Sequence, residues 1–188
     1  IVPLLITGLE NLEYRGYDSS GIAVFSDHLQ VVKTKGRLAD LEEKIKTDGS
    51  INGCVGIGHT RWATHGAPDD VNAHPHTSSN GRISVVHNGI IENYLPLRTE
   101  LEKKGYTFVS ETDTEVVAQL FDAYYNGDMV DTMIRVIQKI RGSYALGVLC
   151  QEKPDEIIAV RKDSPLLVGL GNHENFIASD IPALLEYT

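Results

Sequence analysis

Three short clusters in this 188-residue sequence carry side chains suited to chemistry. The densest is His59-Thr60-Arg61-Trp62-Ala63-Thr64-His65-Gly66, which follows the glycine-spaced apolar run at 54–59. Arg61 can grip a planar anion, because a guanidinium binds a carboxylate through two parallel hydrogen bonds in fixed geometry. Trp62 can wall such a site off from water. The bland alternative is a surface arginine stacked on a structural tryptophan. The second cluster is His87-Asn88-Gly89, at the end of the apolar run 83–87. An asparagine side-chain N–H and the following backbone N–H can point at one spot and stabilise an oxyanion. The same dipeptide is a strong turn signal, although Ile90-Ile91-Glu92-Asn93 does not read as a clean returning strand. The third cluster is Ser110-Glu111-Thr112-Asp113-Thr114-Glu115. Thr112 or Asp113 suits a helix N-cap. The alternative is that Asp113 is a carboxylate held at a helix start, able to take an ammonium.

Taken together, a fixed cation (Arg61), a fixed anion (Asp113) and a donor pair (Asn88, Gly89) describe a pocket for an amino acid. Its α-carboxylate meets Arg61, its α-ammonium meets Asp113, and a side-chain carbonyl lies under the donor pair. Other readings fit less well. The histidines at 59, 65, 74, 76 and 87 lack an HExxH motif or zinc-type Cys/His spacing, so no metal is expected. Gly56-Ile57-Gly58 starts a dinucleotide-like pattern, but Arg61 stands where the third glycine belongs. No Gly-x-Ser-x-Gly elbow is present. No cofactor is expected.

These clusters need a scaffold. Apolar spacing over residues 2–12 predicts a helix ending near Gly16. Strands are expected at 21–25 and 29–34 around a turn, and at 54–59, where the glycines suggest close approach of another backbone or a ligand. A short helix fits 38–45. Residues 60–81 read as an unusually long loop, which in a compact domain is more often functional than idle. A strand is expected at 83–87, helices at 95–104, 113–125 and 130–140, a strand hairpin at 144–150 and 156–161, a last strand at 175–178 and a short helix at 182–186. Strands in adjacent pairs argue for an α+β class with mainly antiparallel sheets.

Composition narrows the partners. At 41% apolar residues plus 17 glycines the chain can pack one ordinary domain. A net charge of −9 with no basic stripe argues against nucleic acid. No apolar run reaches transmembrane length, so no membrane partner is expected. Cys54 and Cys150 make no disulfide framework; both are expected to be buried and reduced, which fits a cytoplasmic protein. An apolar strand also makes Cys54 a poor nucleophile.

The sequence closely resembles the glutaminase domains of glucosamine-6-phosphate synthases, a branch of the class II glutamine amidotransferases. The matching runs are LEYRGYDSSGIAV at 12–24, GHTRWATHG at 58–66, NAHPH at 72–76, VHNGIIEN at 86–93, SETDTEVV at 110–117, RGSYAL at 141–146, SPLLVG at 164–169 and NFIASDIPALLE at 175–186. They cover essentially the whole of residues 1–188, read as one glutaminase domain. The resemblance implies an N-terminal-nucleophile hydrolase fold, a four-layer αββα sandwich. It implies that L-glutamine is hydrolysed to glutamate and ammonia, and that the ammonia converts fructose 6-phosphate to glucosamine 6-phosphate in a C-terminal isomerase domain, through which the enzyme forms a homodimer. By the same resemblance Arg61 holds the substrate carboxylate and Asp113 its ammonium, and Asn88 with Gly89 forms the oxyanion hole. Trp62, Thr64 and His65 belong to a loop closing over glutamine, and Arg15 helps place the nucleophile. In the family that nucleophile is an N-terminal cysteine whose own amine handles the proton. It is expected about a dozen residues before Ile1, and neither Cys54 nor Cys150 can replace it. A glutamine-binding module without catalysis, and a different class II amidotransferase, are the rival readings.

Overall fold

Side-chain alternation along two sheets sorts the chain into layers. The computed structural model describes residues 1–49, 51–62 and 66–188. One sheet runs β2-β1-β3, built from β1 (Ser19–Phe25), β2 (Leu29–Lys35) and β3 (Val55–Arg61). The other runs β4-β5-β6-β7, built from β4 (His76–Thr77), β5 (Ile83–Ile91), β6 (Gly142–Cys150) and β7 (Lys153–Lys162). A hairpin of β8 (Leu167–Leu170) and β9 (Asn175–Ala178) stands apart. Every ladder between these strands is antiparallel.

Because successive side chains point to opposite faces, each sheet has two packed sides. Outward from the first sheet, Ile22, Val24 and Val32 meet Leu9 of α1 (Val2–Glu10) and Leu41 of α2 (Leu38–Asp48). Outward from the second, Ile83, Val85 and Ile91 of β5 and Leu146 and Val148 of β6 meet α3 (Tyr94–Lys103), α4 (Glu115–Tyr124) and α5 (Met129–Ile137). Between the sheets lies a smaller cluster of Ala23, Leu29, Ile57 and Leu149, with Val55 and Val86 against it. The result is the αββα order of an α+β fold. Alternation then has a consequence for chemistry. His59 and Arg61 share the face of β3 that carries Val55 and Ile57, and Asn88 shares the face of β5 that carries Val86. All three therefore look into the gap between the sheets.

Several elements depart from expectation. β5 does not stop at His87 but continues to Ile91, with Asn88 opposite Ala145 and Gly89 opposite Tyr144. The Asn88-Gly89 pair is thus mid-strand rather than in a turn. Gly89 has φ +134°, and a Cβ there would stand 2.1 Å from the Ser143 carbonyl oxygen. The strand can pass this point only as glycine. The long loop is shorter than read, since β3 reaches Arg61 and β4 occupies 76–77. The glycines of β3 accommodate α1: a Cβ on Gly58 would lie 3.0 Å from Leu9 Cδ1, and one on Gly56 2.9 Å from Leu5 Cδ1. The close approach is therefore by helix side chains and, at Gly56, also by the Ala23 backbone carbonyl of β1 at 3.0 Å.

Cys54 is exposed just before β3, whereas Cys150 is buried as expected. The opening helix ends at Glu10 and is followed by a 3₁₀ turn, Glu13–Arg15; the last helix is only a 3₁₀ turn, Ile181–Ala183. β8 was hidden by its own composition. Leu167, Val168 and Leu170 are all exposed, so the run lacks the apolar–polar alternation of a half-buried strand.

Candidate active site

A cleft of about 1190 Å³ is bordered by β3, β5, β7 and β9. Arg15, Arg61, Trp62, Asn88, Gly89 and Asp113 all line it. The structure thus brings together every described residue that the sequence reading assigned to the site. Thr64 and His65 lie outside the described residues.

Each of these side chains is held by a different element. Arg61 closes β3 and is buried, with its guanidinium directed to the Gly66 and Ala67 carbonyls at 3.4 and 3.5 Å. Burial lowers its proton affinity, while Asp18, Asp69 and Asp113 act in the opposite direction. The guanidinium stays charged at neutral pH. The loop after it is fastened at several points. Asn72 donates to the Ala67 carbonyl, and Lys33 of β2 donates to the carbonyls of Val71 and Ala73 at 3.0 and 2.8 Å. Desolvation brings the Lys33 ammonium down to about 8.

Asp113 does not cap α4. The N-cap is Thr114, which makes no side-chain cap bond. Instead Asp113 Oδ2 accepts the backbone N–H of Ile91 at 2.6 Å. The approach to α4 is fixed from both sides: Glu115 accepts the N–H groups of Val109 and Ser110, and Glu111 N–H reaches Asn72 Oδ1 at 2.8 Å. A buried carboxylate is thereby set next to β5 at the strand end beyond Asn88 and Gly89.

Trp62 is 58% exposed and packs edge-on to Tyr17 with ring centroids 5.6 Å apart. It borders the cleft without covering it. Arg15, on the 3₁₀ turn, donates to Ser179 Oγ and lies 3.7 Å from Asp180 Oδ2. This fixes it against the end of β9.

Sequence reasoning missed the imidazoles behind these residues. His59 Nε2 is 3.0 Å from Asn88 Oδ1, and the His59 ring stacks on His74 at 4.4 Å. His74 Nε2 and His87 Nδ1 both reach Thr114 Oγ1, at 3.1 and 2.8 Å, and His76 Nε2 reaches Thr112 Oγ1 at 3.0 Å. Burial keeps all four imidazoles neutral: His59 falls to about 4, His74 and His76 fall well below their ordinary value, and His87 falls despite Asp113 nearby. Among the described residues no three His, Cys, Asp or Glu side chains group as metal ligands. One signal for His59 was available: it stands two residues before Arg61 on a strand, hence on the same face.

Comparison with known proteins gives this arrangement a family. Residues 59–186 match the Glutamine amidotransferase domain family. The chain belongs to that family. It is 60% identical over 187 residues to glutamine–fructose-6-phosphate aminotransferase [isomerizing] of Caldanaerobacter subterraneus subsp. tengcongensis, covering 99% of this chain and 31% of that protein. Against the Clostridium tetani protein of the same name it is 60% identical over 189 residues, with the same coverages. The chain therefore spans about a third of the length of these relatives. A solved structure of glutamine phosphoribosylpyrophosphate amidotransferase from B. subtilis superposes with TM-score 0.83 at 25% identity, over 97% of this chain and 40% of the other. The four layers of this glutamine amidotransferase domain are thus those of the N-terminal-nucleophile hydrolase fold. Among the described residues, no helix is long and apolar enough to cross a membrane.

Proposed function

We propose that this domain binds L-glutamine and is the ammonia-releasing part of an enzyme that aminates fructose 6-phosphate. One observation carries the reading: Arg61, Asp113, Asn88 and Gly89, distant in sequence, border the same cleft. A free amino acid has one carboxylate and one ammonium, and a cleft with a buried cation and a buried anion suits both. Arg61 takes the α-carboxylate and Asp113 the α-ammonium. The side-chain amide then lies by Asn88 and the Gly89 N–H.

Attack by the family's N-terminal cysteine thiolate on the amide carbon forms a tetrahedral oxyanion, which these two donors stabilise. Collapse expels ammonia, protonated by the cysteine's own α-amine, and leaves a γ-glutamyl thioester; water then releases glutamate and regenerates the thiol. One such donor is typically worth about 10²–10³ in rate. Arg15, fixed against Ser179 and Asp180, is assigned to positioning the nucleophile. Trp62, Thr64 and His65 are assigned to closing over the substrate. Discrimination rests on the charges, because a ligand lacking either group leaves a buried ion unpaired. The ammonia passes to a C-terminal sugar-phosphate isomerase domain, through which the cytoplasmic enzyme pairs as a homodimer. The relatives' name and the fraction of their length covered support a further domain that uses the ammonia.

The test uses the full-length protein. Incubation with glutamine should release glutamate, and a glutamine-like alkylating agent should label the N-terminal cysteine, as mapped by mass spectrometry. Adding fructose 6-phosphate should yield glucosamine 6-phosphate. Glutamine binding without release or label would make this a binding module. Release without the amino sugar would make it another amidotransferase.

A further inference from the structure

We infer that His59 is a positioning residue that sets which way the Asn88 amide faces. The inference rests on the glutaminase reading above. Asn88 is mid-strand on β5, with its backbone committed to the β6 ladder opposite Ala145. That ladder fixes where the side chain starts, but not which end of the amide enters the cleft. An asparagine amide has one accepting end and one donating end of nearly equal size. Only the donating end can stabilise an oxyanion.

His59 decides between them. Its Nε2 lies 3.0 Å from Asn88 Oδ1. Its Nδ1 is buried and has no partner within hydrogen-bond distance among the described residues, while the His87 backbone carbonyl also acts on the ring as an acceptor. A proton on Nδ1 would lack an acceptor within hydrogen-bond distance, whereas on Nε2 it is paired, so the neutral ring carries it on Nε2. Nε2–H then donates to Oδ1. Among the described residues the Asn88 Nδ2 makes no hydrogen bond, and it is not sealed from the cleft that Asn88 lines. Turning the amide around would bring its N–H₂ against the imidazole N–H, two donors facing each other.

The ring is itself held firmly. It stacks on His74 at 4.4 Å and 26°, and His74 is bonded through Thr114 Oγ1 to His87. Burial keeps His59 neutral through the working range. Titration does not alter the arrangement, because a charged imidazole would still donate from Nε2.

The experiment compares His59→Leu and His59→Gln in the full-length protein, by glutamine hydrolysis and by circular dichroism melting. Leucine removes the donor while filling the site. Glutamine restores an N–H at comparable reach. His59→Leu should lower kcat for glutamine about 10²-fold, approaching the loss of an oxyanion donor, with KM changed less than threefold. His59→Gln should recover kcat to within about tenfold of the parent, with the pH profile from 6 to 8 keeping the parent's shape in both. A His59→Leu protein that melts like the parent and keeps kcat within threefold overturns the inference. So does a pair of variants in which KM rises as kcat falls and glutamine gives no rescue, because that pattern marks a purely structural residue. A parent that does not hydrolyse glutamine overturns the glutaminase reading itself, and this inference with it.

Discussion

Asp113 Oδ2 accepts the backbone N–H of Ile91 at 2.6 Å, tying the segment that precedes α4 to the end of β5. One carboxylate oxygen is spent on the scaffold. The other lies 3.5 Å from Thr114 Oγ1 and is the oxygen that the proposed function assigns to the ligand ammonium. Two substitutions separate these duties. Asp113→Asn keeps an acceptor for Ile91 but loses the charge. It should weaken glutamine binding about 10- to 100-fold, the range of a charge-assisted hydrogen bond, and leave unfolding nearly unchanged. Asp113→Ala loses both, and should also lower stability by about 1–3 kcal/mol for the orphaned N–H. Calorimetric titration with glutamine and urea unfolding read the two effects. Equal stability of the alanine and asparagine variants would show that the strand anchor contributes nothing.

Arg61 makes a sharper test of ligand geometry. Its guanidinium is buried at the end of β3, beside loop carbonyls and within the field of Asp113. Arg61→Lys preserves the charge but removes the planar fork. The KM for glutamine should rise at least about tenfold, with kcat falling less. Steady-state kinetics of the full-length variant decide it. An unchanged KM would mean that the carboxylate is gripped elsewhere.

The sequence pointed to residues that share one cleft more readily than to how they are held. Arg61 and Asn88 were readable because strand ends and polar clusters stand out against apolar runs. Asp113 was readable as a carboxylate but not as a strand anchor, because its partner Ile91 is 22 residues away and offers only a backbone N–H. The four histidines were weighed against metal-ligand spacings and set aside. Their real partners are hydroxyls and an amide up to 40 residues distant, as in His74 with Thr114, and no local spacing encodes such a meeting. β5 was cut short because Asn-Gly signals a turn when judged locally. The pairing of nine residues with β6 overrides that preference and leaves only the positive φ of Gly89 as its trace.

That residue gives the third prediction. A methyl group on Gly89 would sit 2.1 Å from the Ser143 carbonyl oxygen, on a backbone with φ +134°. The colliding atom is main chain on the neighbouring strand, so no rotamer change relieves it. Gly89→Ala should cost more than about 3 kcal/mol, combining backbone strain with a broken ladder. Surviving folded protein should show reduced glutaminase kcat, since the Gly89 N–H moves with the strand. Denaturant midpoints check the first effect. A shift worth less than about 1 kcal/mol would mean that β5 and β6 separate easily at this point.

The buried imidazoles make stability depend on pH in a definite direction. In the unfolded chain a histidine takes a proton near pH 6.5. In the folded chain His59 does so only at about 4, and His74, His76 and His87 are also displaced downward, each chiefly by burial. Below pH 6.5 the unfolded state therefore binds protons that the native state refuses, and stability falls as pH drops. The contribution is fully present above about pH 7 and is lost progressively toward pH 4. Each imidazole that stays neutral accounts for about 1.4 kcal/mol per pH unit in that window. Carboxylates titrate mostly below pH 5, so the interval from pH 6 to 5 isolates the histidines. Urea unfolding should lose stability across that interval, about 1 kcal/mol from His59 alone and more from the other rings, with net proton uptake on unfolding. A flat midpoint between pH 6 and 5 would show that these rings take up protons as readily in the native protein as in the unfolded chain, so that burial does not hold them neutral.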